Sequence, residues 1–449
     1  MSDSIVARLR AANVRGRVVA PGDDAYEQSR KVWNGVADRR PGAIFYAESV
    51  DDVRRGVEAA AGERLAVRAG GHSLPGLSTC DDGLILDLSL LNAVTADPAT
   101  MRAEAGGGAL LGDVDRATVP HGYVVPAGIV SHTGVGGLTL GGGMGWSSRR
   151  HGLTIDSLTA VEMVTADGTI LKVDADSNPE LFWGIRGGGG NFGIVTRFSF
   201  ALRPLGKMAV GQWSYPLGEA TAAIARLRDL ARTRPREFAV AFTLSRQDIG
   251  LTATWFGDEA LAEPMLSPLG ALAGRGKGGL TKMSFLELQS RNDSHFAWSR
   301  RYYAKGGFWS DIDDKAIGHI VADIADAPTD HCEIYVTQLG GAIGDVADDA
   351  TAYSGRDAGY YWIVEPVWDR PEDDEKCLAW GRASAGRLAT LSMAGNYVNE
   401  QADAGAEIAR SAYGAVKYER LRRLKTRLDP NNLFRLNQNI EPLSAKVAG

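Results

Sequence analysis

Over the first two hundred residues, short apolar runs alternate with glycine-rich turns, a rhythm that predicts strands joined by tight loops. "AIFYA", residues 43–47, reads as a buried strand. Ser49 followed by Asp52 has the spacing of a helix N-cap with its acidic partner, and Val50, Val53 and Val57 then form an apolar stripe at helical period. "LAVRA", 65–69, is a second strand, so residues 43–69 predict a β-α-β unit. The loop Gly70–Gly76 leaves the carboxyl end of that strand, where α/β folds collect ligands. "GLILDLS" and "MRAEA" add strands, and "LTAVEMVTADGTILKV", 158–173, predicts a hairpin turning at Asp167-Gly168. "FGIVTRFSFAL", 192–202, alternates and stops short of Pro204.

Beyond about residue 204 the texture changes. "EFAVAFTLS", "IGLTATWFG", "CEIYVTQLG" and "YYWIVEPVW" alternate with long amphipathic helices, which predicts a domain with a large antiparallel sheet. A helix rich in Lys and Arg is expected from about 401 to Leu428, stopped by Asp429-Pro430. The segment after it, "NNLFRLNQNIEP", is too aromatic and polar to be fraying chain. The expected division is 1–203, 204–395, and a segment 396–449 that returns to the first body.

A length of 449 residues suits two or three cores. The net charge is −6 with no run of Lys or Arg, which argues against nucleic acid or an anionic membrane as partner. The opening "MSDSIVARLR" lacks the apolar core of a signal peptide, and no apolar stretch is long enough to cross a bilayer. Cys80, Cys332 and Cys377 have no metal spacing, so a cytoplasmic enzyme without a metal site is expected. Glycine is the one departure: 55 residues, about 12% against a usual ~7%, concentrated at 106–108, 134–145 and 187–193.

Those clusters carry the chemistry. Consecutive main-chain N–H groups in "VRAGGHSLPG", 67–76, make a concave anion site, and Arg68 and Ser73 could add a charge and a hydroxyl. Neither a Walker loop nor the Rossmann spacing is present. Taken alone, His72 is either bonded within its own loop or an imidazole whose neutral nitrogen attacks or ligates a bound group. In "PAGIVSHTGVGGLTLGGGMGWSSRRHGLTIDSL", 126–158, seven glycines in twelve residues suggest a planar ligand lying on the backbone. "LFWGIRGGGGNFGIVTRF" adds a helix end, a glycine turn and a strand.

In this order, the clusters resemble the FAD-binding domain of the vanillyl-alcohol oxidase/p-cresol methylhydroxylase superfamily. "AYGAVKYERLRRLKTRLDPNNLFRLNQNI", 412–440, resembles the closing segment of its berberine bridge enzyme-like branch, which includes hydroxynicotine, sugar and antibiotic-tailoring oxidases. The resemblance implies an α+β fold: a PCMH-type FAD-binding domain of two α/β subdomains, and a substrate domain whose large antiparallel sheet is flanked by helices. It implies FAD bound through a single 8α-histidyl bond to His72, with Arg68, Ala69, Gly70, Gly71 and Ser73 around the pyrophosphate and Gly76 also beside the cofactor. The same likeness places Pro126, Gly128, Val130, Thr133, Gly134, Gly136, Gly137, Gly141, Gly142, Gly145, Trp146 and Asp156 along the cofactor. Gly193, Ile194, Val195, Asn437 and Asn439 complete that set.

One departure matters. Val130 stands where many relatives carry a cysteine that makes a second flavin link, which favours a smaller or more enclosed substrate. Thr133 takes the place of a branched side chain that gates oxygen in relatives, and its bulk is compatible with O₂ entry. "GNYVNEQAD", 395–403, resembles the family stretch Tyr-x-Asn-Tyr-x-Asp, with Tyr397 and Asn399 matching and Glu400 in place of the second tyrosine. In "TAYSGRDAGYYW", 351–362, Tyr353 and Arg356 match a family strand, while Gly355 replaces its histidine. Tyr397, Glu400 and Tyr353 are therefore the catalytic candidates; Tyr302, Tyr303, Phe308, Trp309, His132 and His151 are either near the substrate or packing. The implied reaction is hydride transfer from a C–OH or C–N carbon of a small molecule to flavin N5, with O₂ reduced to H₂O₂. A dehydrogenase or cyclase using another acceptor, or a flavin-binding protein without turnover, stays open, and a monomer or homodimer is expected.

Overall fold

The computed structural model describes residues 5–274 and 276–443; residues 1–4 and 444–449, the outer ends of the expected first and last segments, lie outside the described residues. Its first sheet has four strands in the order Arg17–Val19, Ala43–Tyr46, Leu84–Asp87, Leu65–Arg68. The predicted helix forms over Val50–Ala59, with the Ser49 hydroxyl accepting from the Asp52 amide and Val53 and Val57 buried. The strands it joins are parallel but not neighbours, because Leu84–Asp87 lies between them and pairs in parallel with both. Every residue of that strand is buried, as a central strand covered on both faces requires.

The second sheet is antiparallel throughout, in the order Val94–Asp97, Arg102–Gly106, Ile194–Ala201, Leu158–Val164, Ile170–Asp174. Its last pair is the predicted hairpin, with Gly168 at φ 80° in the turn.

The third sheet has seven antiparallel strands: Lys277–Thr281, Ala209–Pro216, Asp248–Trp255, Phe238–Leu244, Glu333–Gln338, Tyr360–Glu365 and Lys305–Trp309. Its strand period of two sends alternate side chains to opposite faces. Val240, Phe242, Ile334, Val336, Trp362 and Val364 pack on the helices Ala220–Ala231, Asp314–Ala325 and Asp374–Ala389. The other face presents Ala241, Thr243, Gly250, Thr252, Glu333, Tyr335, Ile363 and Glu365 to an internal cavity.

The last long helix spans Ala406–Leu428, five residues later than expected, because Gln401 forms a β-bridge with Lys305. It breaks at Gly414, whose φ of 67° and ψ of 168° let the chain change direction. Ala409, Ala412, Tyr413, Leu421 and Leu424 then pack into the core of the five-stranded sheet. The segment beyond is tied down by a buried ion pair. Lys425 Nζ lies 2.7 Å from Asp429 Oδ2 and also donates to the carbonyls of Asn191 and Phe434. The Asp429 carboxylate in turn accepts from the amides of Leu433 and Phe434.

Candidate active site

A cavity of about 610 Å³ lies between the glycine loops and the open face of the seven-stranded sheet. Two of the loops touch backbone to backbone: a Cβ on Gly70 would sit 2.3 Å from the Gly134 nitrogen, and one on Gly134 equally close to the Gly70 nitrogen. Ala69, Gly70, Gly71, His72 and Ser73 line one wall, and Gly128, Val130, Thr133, Gly134, Gly136, Gly137 and Trp146 another. Gly193, Ile194, Val195 and Asn437 also reach it. An added Cβ on Gly137 or Gly190 would meet no atom within 4 Å, so the space before them is the cavity itself.

The His72 ring stacks on Trp33 at 4.7 Å, and Trp33 stacks on Tyr302 at 3.9 Å. His72 Nε2 lies 2.7 Å from His132 Nδ1. Burial, reinforced by the neighbouring His132, pushes the His72 pKa down to about 3, so the ring is neutral at physiological pH.

At the sheet end, the Tyr397 hydroxyl accepts from the Gly143 amide at 3.1 Å and from Asn399 Nδ2 at 2.9 Å. Glu400 stands in the same wall, and burial, opposed by the Tyr361 phenol, raises its carboxyl to about 7. Glu365 is pushed well above the carboxylate range by burial and by the charges of Glu333 and Glu400. His295 Nε2 lies 3.3 Å from Glu333 Oε2; burial opposes its protonation, but the glutamate outweighs that and raises its pKa.

Several expected residues do not face the cavity. Arg68 turns away: its guanidinium pairs with the buried Asp87 carboxylate and donates to the Lys31 carbonyl at 3.2 Å, so it brings no charge to the loop. Asp156 holds a buried pair with Arg356, 2.7 Å apart, and accepts from the Leu153 amide, so it joins two parts of the chain instead of lining the cofactor space. Tyr353 lies behind the wall, its ring centroid 6.2 Å from that of Tyr397, and packs in the same apolar cluster. Gly76, Gly141, Gly142 and Gly145 are small because protein presses on them. Their added Cβ atoms would meet Ala37, Asn399, Tyr353 and Ala127 within 2.6 Å. Pro126 and Asn439 also lie off the wall, as do Tyr303, Phe308 and Trp309, which are buried in the cores. His151 faces the Pro204 carbonyl at 3.1 Å.

Sequence reasoning missed Glu333, Tyr335 and Glu365, as well as Trp33 and His295. A signal existed for the first three: polar residues alternating with Ile334, Val336 and Val364 inside otherwise apolar strands. None existed for Trp33, which lies in an irregular stretch before the second strand.

The family model described as FAD binding domain matches residues 41–174, and the one described as Berberine and berberine like matches 396–441. An FAD-linked oxidoreductase of Dictyostelium discoideum is 31% identical over 438 residues, covering 96% of each chain. The chain belongs to the FAD-linked oxidoreductases, in their berberine bridge enzyme-like branch. The crystal structure of 6-hydroxy-D-nicotine oxidase from Arthrobacter nicotinovorans matches with a TM-score of 0.87 at 25% identity, covering 96% of this chain and 99% of that one. The glucooligosaccharide oxidase of Acremonium strictum, which carries a 6-S-cysteinyl, 8α-N1-histidyl FAD, matches with a TM-score of 0.87 at 24% identity, over 99% and 100% of the two chains.

The residues present suit FAD. Gly137 and Gly190 form a cradle that side chains would fill, and Trp146 Nε1, Ser78 Oγ, Asn437 Oδ1 and Gln438 Oε1 are buried cavity-wall atoms without a hydrogen-bond partner. Among the described residues, no helix is long and apolar enough to cross a membrane.

Proposed function

We propose that the chain is an oxidase holding FAD through one covalent bond to His72 and removing two electrons from a C–OH or C–N group of a compact substrate. The observation that carries this reading is a neutral imidazole facing the same cavity as a glutamate poised near neutrality. The backbone N–H groups of Gly70–Ser73 would cradle the pyrophosphate, and Asn437 and Gln438 would approach the ring system. The chemistry FAD supplies when bound is acceptance of a hydride from the substrate carbon, then reoxidation by O₂ to hydrogen peroxide.

Glu400 takes the proton of the substrate O–H or N–H, since a carboxyl near 7 is half ionised at neutral pH and can cycle between forms. Tyr397, fixed through two accepted hydrogen bonds, orients the reacting group with its own O–H. Glu365, its carboxyl pushed up by burial and by Glu333 and Glu400, lines the same cavity. Val130 offers no thiol for a second link, and Thr133 in the wall leaves room for O₂. The three buried, unpaired cysteines suit a reducing cytoplasm.

The test is direct. Acid-precipitated wild-type protein should stay yellow, whereas His72→Ala should release its FAD into the supernatant. Peroxide release against amines, sugars and secondary alcohols then identifies the substrate. A colourless wild-type pellet, or a His72→Ala pellet that keeps its flavin, defeats the reading.

A further inference from the structure

The contact between His72 and His132 fixes more than packing. His72 Nε2 and His132 Nδ1 are 2.7 Å apart, and His132 Nε2 lies 3.4 Å from the main-chain carbonyl of Asp293. A carbonyl only accepts, so the proton of His132 belongs on Nε2. Its Nδ1 then presents a lone pair, and the proton shared with His72 sits on His72 Nε2. His72 Nδ1 is then left with its lone pair, on a ring that lines the cavity. The Asp293 carboxylate is occupied nearby, accepting from the Ser131 amide at 2.9 Å and from the Ser131 hydroxyl, which anchors the loop that carries His132.

We infer that His132 is the positioning residue for covalent attachment of the flavin. It holds His72 as the tautomer with Nδ1 unprotonated and takes the Nε2 proton as the new bond forms. The inference rests on His72 being the attachment point.

A bond forms between His72 Nδ1 and the 8α carbon of the isoalloxazine. One C–H bond of that carbon and the N–H at His72 Nε2 break. The electron pair of the C–H bond passes into the ring system and is removed by dioxygen, which leaves with two protons as hydrogen peroxide. Without an acceptor at Nε2, the alkylated imidazole would be left as a buried cation, which desolvation disfavours.

The experiment uses the full chain produced in a riboflavin-starved host and mixed with FAD in air. Flavin fluorescence in the acid pellet is followed over time, and total bound flavin is measured separately. H132A should bind FAD as the wild type does but attach it about a hundredfold more slowly, and added imidazole should restore much of the rate. H132Q keeps an acceptor for the Nε2 proton but cannot take it up, so its rate should be intermediate; it also decides the matter if H132A does not fold. Attachment by H132Q at the wild-type rate, by H132A at the wild-type rate, or by a slow H132A that ignores imidazole overturns the inference. A wild type whose pellet never gains flavin overturns the attachment itself as well, so the two failures are distinct.

Discussion

Glu400 stands where the resemblance leads one to expect a tyrosine, and the cavity makes that acid unusual. A base works only when ionised, and burial has raised this carboxyl to about 7, so turnover should fall as pH drops through that value. Glu400→Gln should lower kcat by about 10²–10⁴ and flatten the acid limb of the pH profile, read from peroxide release across pH 5–9. An unchanged acid limb in the variant moves the base elsewhere, with Glu365 or Glu333 next in line. At this scale His72 and Tyr397 were legible because short motifs surround them. Glu365 and Glu333 were not, because polar residues alternating with apolar ones mark only one face of a strand, and that face becomes part of a site only when the sheet turns it inward.

The glycine clusters separate into two uses that composition cannot distinguish. Some, such as Gly70 against Gly134, let backbones touch; others, such as Gly137, leave room for something that is not protein. Gly70→Ala should therefore cost folded protein, because its Cβ would lie 2.3 Å from a main-chain nitrogen that cannot yield. Gly137→Val, on the exposed side of the helix Val135–Gly141, should fold with a melting temperature within a few degrees of the flavin-free wild type yet carry far less flavin. Absorbance at 450 nm against total protein separates the two outcomes. The strands were well read from alternation, whereas the long helix was started too early: Gln401 has helical neighbours in sequence but satisfies its backbone against Lys305 in the sheet.

Across the whole molecule, a deeply buried ion pair helps fasten the FAD-binding part to the seven-stranded part. Asp156 and Arg356 are 7% and 2% exposed, and their side chains meet across two hundred residues of sequence. Arg356→Ala would strand a carboxylate in the interior and should cost about 3–5 kcal/mol in thermal or urea unfolding. Asp156→Asn combined with Arg356→Met should recover much of that loss; if it does not, the pair does more than neutralise itself. The pairing of Asp156 was not legible in the sequence, because its neighbours belong to a glycine-rich motif while its partner Arg356 lies beyond any local pattern.

The cavity draws its walls from Trp33 at one extreme and Gln438 at the other. A chain that stops before Asn437 lacks Asn437 and Gln438 from that wall, so it should retain less of the pigment than the full chain even though it keeps the entire glycine-rich half.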